Sequence, residues 1–86
     1  MAPAVVRIGD SGSHGGSVSS GSDNVLCNGR GVARVGDTYD CPIHGPNKID
    51  SGSPDTFANS KQIARVGDAT ECGASLTEGS PDTFCN

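Results

Sequence analysis

Residues 34–45 read Arg-Val-Gly-Asp-Thr-Tyr-Asp-Cys-Pro-Ile-His-Gly, and they combine the two features from which the architecture of the chain is predicted. Its first four residues are an Arg-Val/Ile-Gly-Asp tetrad, which also occurs at residues 7–10 and 65–68. Its last part places Cys41 and His44 three residues apart across a proline, so a thiolate and an imidazole can reach one small cation. The stretch therefore joins a repeated element to a metal-binding loop, and it predicts three copies of one unit closed over a single metal ion.

Internal repetition extends well beyond the tetrad. Residues 21–37 align without a gap on residues 52–68, an offset of 31 residues. A third copy begins with residues 79–86, and its second half stands at the other end of the chain as residues 4–10. The repeat predicts an array of three units about a pseudo-threefold axis. Because the third unit is split between the two ends of the chain, those ends are expected to lie close together.

Short β-strands are expected in each unit, because β-branched or aromatic residues alternate with small or polar ones. The expected strands are residues 25–27, 32–35, 56–58 and 63–66. Asn28-Gly29 and Asn59-Ser60 predict hairpin turns, and the tetrad glycines are expected to hold a backbone angle that a side chain would forbid. No window shows helical periodicity over three turns, which leaves open only a short helical turn near residues 17–20.

Composition limits the size of the core. Residues 1–86 are expected to form one domain, and with 33% apolar and 3% aromatic residues they have little to bury. A staple is therefore expected, in the form of a metal, disulfides or a partner chain. The net charge of −4 and the scattered Lys and Arg residues weigh against nucleic acid or an anionic membrane as partner.

Targeting signals are not evident in the sequence. No run approaches the roughly 20 apolar residues of a membrane-spanning helix, and the N-terminal residues lack the pattern of a secretory signal. This favours synthesis in a reducing compartment. The four cysteines are then interpreted first as metal ligands or buried thiols, and only second as disulfides.

Potential metal ligands recur at one offset from the tetrad. His14, Cys41 and Cys72 each stand four residues after a tetrad Asp, in connectors at residues 11–20, 38–51 and 69–78. Under a pseudo-threefold axis these three side chains converge, and His44 of the longest connector adds a fourth. Two thiolates and two imidazoles are a closed set typical of structural Zn²⁺, although the same set accommodates iron. A closed set argues against a catalytic zinc.

Cys27 and Cys85 belong to a different class. They occupy equivalent strand positions, with Ala58 as the third member. Because all three residues are small, the position is interpreted as a crowded spot inside the array, with thiols that act as small hydrophobic side chains. A disulfide between Cys27 and Cys85 is the alternative. The tetrad Asp residues are expected to accept backbone hydrogen bonds at the strand ends.

The pattern resembles the PAAR-repeat proteins over nearly the whole chain. Gly-Val-Ala-Arg at residues 31–34 and Gln-Ile-Ala-Arg at residues 62–65 stand where the family has Pro-Ala-Ala-Arg, and the first unit has Val-Val-Arg at residues 5–7. Further resemblance lies in Ser-His-Gly-Gly at residues 13–16 and Cys-Pro-Ile-His-Gly at residues 41–45. The resemblance implies an all-β fold, a small cone of short β-hairpins stapled by a metal at its apex.

The resemblance implies a structural role for this protein. Family members are the pointed tips of contractile injection machines, in phage tails or type VI secretion. It places His14, Cys41, His44 and Cys72 on the family's ligand segments. The resemblance also implies the partners: a trimeric β-helical spike protein, of the valine-glycine repeat type or from a phage tail, bound through the base of the cone. Separate effector proteins are further candidate partners, and contact with the target membrane is expected to be transient.

The expected location is therefore the tip of a phage tail in the virion, or the cytoplasm followed by export through type VI secretion. The residues are also compatible with two other classes of protein. One is a small zinc-dependent hydrolase or effector, and the other is a disulfide-rich secreted domain.

Overall fold

The computed structural model describes residues 2–85, and within them short antiparallel β-strands are the regular structure. The strands are β1 (Ser17–Val18), β2 (Leu26–Cys27), β3 (Arg30–Gly31), β4 (Thr38–Cys41), β5 (Gly45–Lys48), β6 (Phe57–Ala58) and β7 (Lys61–Gln62). They form one sheet in the order β1-β4-β5 and two hairpins, β2-β3 and β6-β7. The prediction of an all-β fold is confirmed. Nowhere in this described part does a helix have the length and apolar character needed to cross a membrane.

A closed ring of three backbone hydrogen bonds lies at the centre of the fold. The Val6 N–H donates to the Ala64 carbonyl at 3.0 Å, the Ala33 N–H to the Val6 carbonyl at 2.8 Å, and the Ala64 N–H to the Ala33 carbonyl at 2.9 Å. The three residues hold the same position in the three units, and all are fully buried. Each unit therefore donates one hydrogen bond to a neighbour in cyclic order, which confirms the predicted pseudo-threefold arrangement.

Asparagine turns close the hairpins that precede the ring. Asn28 and Asn59 have φ values of 55° and 54°, the left-handed conformation that a two-residue hairpin turn of this kind requires. The third hairpin is assembled from the two ends of the chain. In it Phe84 pairs with Ala4, just as Leu26 pairs with Gly31 in the first hairpin. The predicted turns and the predicted closeness of the chain ends are both confirmed.

The connectors after the ring are more regular than the sequence indicated. The middle connector is a true hairpin in which Thr38–Cys41 pairs with Gly45–Lys48. The other two are closed by single bridges, from Ser11 to Ser17 and from Ala69 to Ser75. Residues 17–20, where a helical turn was left open, instead begin with strand β1, because β4 offers that segment an antiparallel partner.

Two layers of apolar side chains fill the interior. The layer on the connector side contains Val18, Ile49 and Leu76, which are equivalent in the three units and pack with Tyr39. The layer on the hairpin side contains Val5, Val32, Ile63, Cys27 and Ala58, with the partly buried Cys85 against it. The predicted crowded spot for the small residues is confirmed. All four cysteines of the chain are free thiols.

Each tetrad folds into the same ion-paired turn. The pairs are Arg7 with Asp10, Arg34 with Asp37, and Arg65 with Asp68, at 2.8, 2.7 and 2.9 Å. Each carboxylate also accepts the backbone N–H of its own arginine, which confirms the expected backbone bonds. The tetrad glycines have φ values of 91°, 94° and 98°, a conformation that favours glycine. The arginine as main partner of each carboxylate was not foreseen.

Candidate metal centre

The three connectors bring together four side chains of types that can ligate a metal. They are His14, Cys41, His44 and Cys72, and their potential ligand atoms all lie within 4.8 Å of one another. Cys41 is buried, His14 and Cys72 are half-buried, and His44 is exposed. All four residues singled out from the tetrad offset and the Cys-Pro-Ile-His loop are therefore in one cluster, which could hold a metal ion and can be reached from solvent.

The separations within the cluster suit one tetrahedral ion. The Cys41 Sγ lies 3.5 Å from the Nδ1 atoms of both His14 and His44, and the Cys72 Sγ lies 3.7 Å from the His14 Nδ1. Zinc bonds of about 2.3 Å to sulfur and about 2.0–2.1 Å to nitrogen at tetrahedral angles separate the two kinds of ligand atom by about 3.5 Å. These three sulfur–nitrogen separations therefore match those expected around one four-coordinate metal ion such as Zn²⁺.

Glycines shape the backbone beside three of these side chains. Gly15, Gly45 and Gly73 directly follow His14, His44 and Cys72, with φ values of 90°, 80° and 88°. Such φ values are accessible to glycine at little cost, so each chain segment can reverse immediately after it presents its side chain. A shared local conformation therefore aims side chains from three different connectors at one point.

The two thiols have polar neighbours besides the histidines. The Cys41 Sγ accepts the backbone N–H of His44 at 3.4 Å, across the turn between β4 and β5. The Cys72 Sγ lies 3.2 Å from the Thr70 Oγ1. Partial burial of Cys72 raises the pKa of its thiol. Hydrogen bonds with Thr70, the Ala74 backbone, Cys41 and His14 outweigh that effect and lower the pKa from 9.0 to about 6. Because the thiolate is the form that ligates metals, this environment favours cation binding near neutral pH.

A family model described as the PAAR motif matches residues 8–85, nearly the whole chain. The chain belongs to the PAAR-motif family. Membership confirms the resemblance seen in the sequence and, since PAAR proteins are structural, it implies a spike-tip role in contractile injection systems, in a phage tail or type VI secretion context. A comparison with curated proteins gave no significant match.

Two kinds of residue that matter to this PAAR fold were missed in the sequence. The tetrad arginines were detectable, because an Arg stands three residues before an Asp in all three copies. Asn47, whose Oδ1 accepts the Cys72 N–H at 3.2 Å, gave no signal. Its 25-residue separation from Cys72 is bridged only when the connectors pack together.

Proposed function

We propose that this chain is the tip of a cell-puncturing spike, which caps and sharpens the end of a trimeric β-helical spike protein for membrane penetration. The observation that carries the proposal is the closed threefold ring in a chain of the PAAR family. A β-helical trimer ends in strand edges that repeat around a threefold axis and need covering. One chain with three similar units matches that symmetry, and residues 1–86 act in this role as one domain.

The hairpin side of the fold is the proposed docking base. Leu26, Phe57 and Phe84 occupy the same position in the three units and are 60%, 55% and 53% exposed. Large apolar side chains exposed at symmetry-equivalent positions suit burial against a partner of the same symmetry. The Thr-Phe-Ala-Asn segment at residues 56–59 is thus favoured as part of the base over Val-Ala-Arg-Val at residues 32–35, because Val32 and Ala33 are buried in the core.

The connector side is the proposed apex, stapled by one metal ion. We assign His14, Cys41, His44 and Cys72 as its ligands, and Zn²⁺ is preferred over iron because two thiolates and two imidazoles match structural zinc sites. A bound ion would cross-link all three connectors. Four protein ligands leave no coordination position for the water that a zinc hydrolase activates, so the donor set supports a structural protein over an enzyme.

Such a protein would act at the end of a phage tail in the virion, or would be made in the cytoplasm and exported by type VI secretion. Its apex would meet the target membrane only transiently. Separate effector proteins are the other partners considered for this role.

Docking is tested by capture of a recombinant trimeric β-helical spike fragment on the immobilised chain. Phe57→Asp and Phe84→Asp, singly and together, are expected to abolish capture because a charge would be buried at the interface. Ile43→Asp is the matched control, because Ile43 is 67% exposed but lies in the turn between two proposed ligands. Capture that survives the Phe changes and fails with the Ile43 change would refute the assignment of the base.

Metal binding is tested separately on the purified chain. Elemental analysis is expected to find one zinc per chain, reduced to near zero by Cys41→Ala. Substoichiometric metal in freshly purified wild-type protein, unaffected by removal of Cys41, would refute the metal centre while leaving the docking proposal standing.

A further inference from the structure

The middle hairpin carries two side chains that have no counterpart in the other connectors. Tyr39 and Asn47 lie directly opposite each other on β4 and β5. The equivalent facing pairs are Gly12 with Gly16 in the first connector and Thr70 with Ala74 in the third. Large polar side chains therefore occur at this level of the apex only on the hairpin that carries two of the four clustered side chains.

Tyr39 reaches from the middle hairpin to the connector that carries His14. Its ring is fully buried, and its hydroxyl oxygen accepts the Gly16 N–H at 3.1 Å. A Cβ atom at Gly12 would lie 2.6 Å from that hydroxyl and 2.7 Å from the ring. The first connector thus has glycine where it makes room for the ring, and it is bonded to the tyrosine two residues after His14.

Asn47 reaches in the same way to the connector that carries Cys72. Its Oδ1 accepts the backbone N–H of Cys72 at 3.2 Å, and its Nδ2 donates to the Gly45 carbonyl at 3.0 Å. Both ends of the side-chain amide are therefore held. One end is bonded to the backbone of Cys72, and the other to the residue that follows His44.

We propose that Tyr39 and Asn47 form a positioning bracket, which holds the His14 and Cys72 loops against the middle hairpin so that the four ligands are close before an ion binds. The proposal rests on the proposed metal centre. Protein groups that orient metal ligands through hydrogen bonds change metal affinity by about 10–100-fold when they are removed. Neither bracket residue would touch the ion, so each acts through the backbone of a ligand loop.

The test compares Tyr39→Phe and Asn47→Ala with a control, Ser51→Ala, in the full chain. Tyr39→Phe keeps the ring and removes only the hydroxyl. Ser51 also accepts a backbone N–H, that of Ala69 at 2.9 Å, at the start of the connector that carries Cys72, and it donates to the Asp68 Oδ1 at 3.3 Å, so its hydrogen-bond partners lie outside the four clustered residues. The control therefore removes a comparable bond in the same connector without disturbing a ligand loop.

The first readout is affinity for Co²⁺ alone, a spectroscopic probe for thiolate coordination, measured by titration in competition with a chelator. Each bracket variant is expected to bind Co²⁺ about tenfold or more weakly than the wild type, and Ser51→Ala to bind it nearly as tightly as the wild type. Wild-type affinity in both bracket variants, or an equal loss in Ser51→Ala, would overturn the proposal. A wild-type chain that binds no Co²⁺ or Zn²⁺ would overturn the metal centre together with the bracket.

The second readout is amide hydrogen exchange in the metal-free chain. Asn47→Ala is expected to remove protection from the Cys72 amide alone, and Tyr39→Phe from the Gly16 amide alone. Amides that exchange freely in the metal-free wild type would contradict a bracket formed before the ion binds, even if metal affinity changed. This outcome can be told apart from failure of the metal centre, because it needs no metal.

Discussion

Removing Arg7 is expected to destabilise the fold more than removing Arg65, although the two residues occupy the same position in different units. The side chains of Arg7 and Asp10 are 5% and 0% exposed, against 20% and 7% for Arg65 and Asp68. A carboxylate that loses its partner in a buried site stays uncompensated, whereas one nearer the surface regains water. The same Arg→Ala change should thus cost more stability in the deeply buried ion pair than in the more exposed one.

The magnitude follows from the contacts at Asp10. Breaking a buried ion pair by removing one partner costs about 3–5 kcal/mol. Arg7→Ala leaves Asp10 the backbone N–H of residue 7 at 2.8 Å and the Arg30 Nη2 at 3.5 Å, so we expect the lower end of that range, about 3 kcal/mol. Arg65→Ala should cost about 1–2 kcal/mol, between the values for exposed and buried pairs.

The assay is urea unfolding followed by the fluorescence of Tyr39, the one Tyr in a chain without Trp. A domain of this size has a free energy of unfolding of about 4–13 kcal/mol, so a loss of about 3 kcal/mol is large but measurable. In thermal unfolding the same loss corresponds to about 12–24 °C in Tm. Unchanged m-values would show that the loss of stability does not come from a change in the denatured state.

Arg30→Ala is the internal control for this comparison. Arg30 meets Asp10 at 3.5 Å with its side chain 43% exposed, so its removal should cost less than about 1 kcal/mol. If Arg7→Ala and Arg30→Ala were equally mild, or Arg65→Ala were the most damaging of the three, depth in the fold would not govern these ion pairs and the reasoning would be wrong.

Three further predictions concern acid, crowding and connectivity. Burial raises the pKa of Asp37, but its hydrogen bonds with Arg34 outweigh burial and lower the pKa below its ordinary 3.8. The stability that the ionised Asp37 contributes should therefore be complete above about pH 4 and be lost as the pH falls through the lowered pKa. Urea midpoints from pH 6 to pH 2.5 test this, and Asp37→Asn should flatten the profile. Gly16→Ala should cost about 3 kcal/mol or more, because the new Cβ would lie 1.7 Å from the Asp40 carbonyl oxygen; a Tm within 2–3 °C of wild type would contradict it. A circular permutant opened at residues 59–60 and joined across the original ends should keep the wild-type circular dichroism and cooperative unfolding, whereas a molten product would argue against equivalent hairpins.

Much of the fold was readable in the sequence because the repeat carries it. The 31-residue offset predicted three units, and the split third copy predicted that the chain ends meet, as Ala4 and Phe84 do. Asn28 and Asn59 predicted turns through their local conformational preference, which needs no knowledge of distant contacts. Three of the four clustered side chains were found from their equal offsets, since equivalent positions in symmetric units converge on the axis, and His44 was found from its spacing to Cys41.

The connectors show where that reasoning stopped. β1 is two residues long and pairs with β4 some twenty residues away, so no local periodicity marked it. The link from Asn47 to Cys72 likewise depends on two connectors that approach each other only in the folded chain. Contacts of this kind depend on packing between units, so the local conformational preferences of the residues do not predict them.

Residue types and their spacing alone predict the threefold plan, the turn positions and the four side chains at the apex. The depth of each Arg–Asp pair and the side chains that join one connector to the next follow instead from how the folded units pack. This is because equivalent positions in the three connectors meet in one small space, which does not hold three large side chains. The sequence has Gly12, Tyr39 and Thr70 at equivalent positions, and the Tyr39 ring occupies the space that Gly12 leaves free.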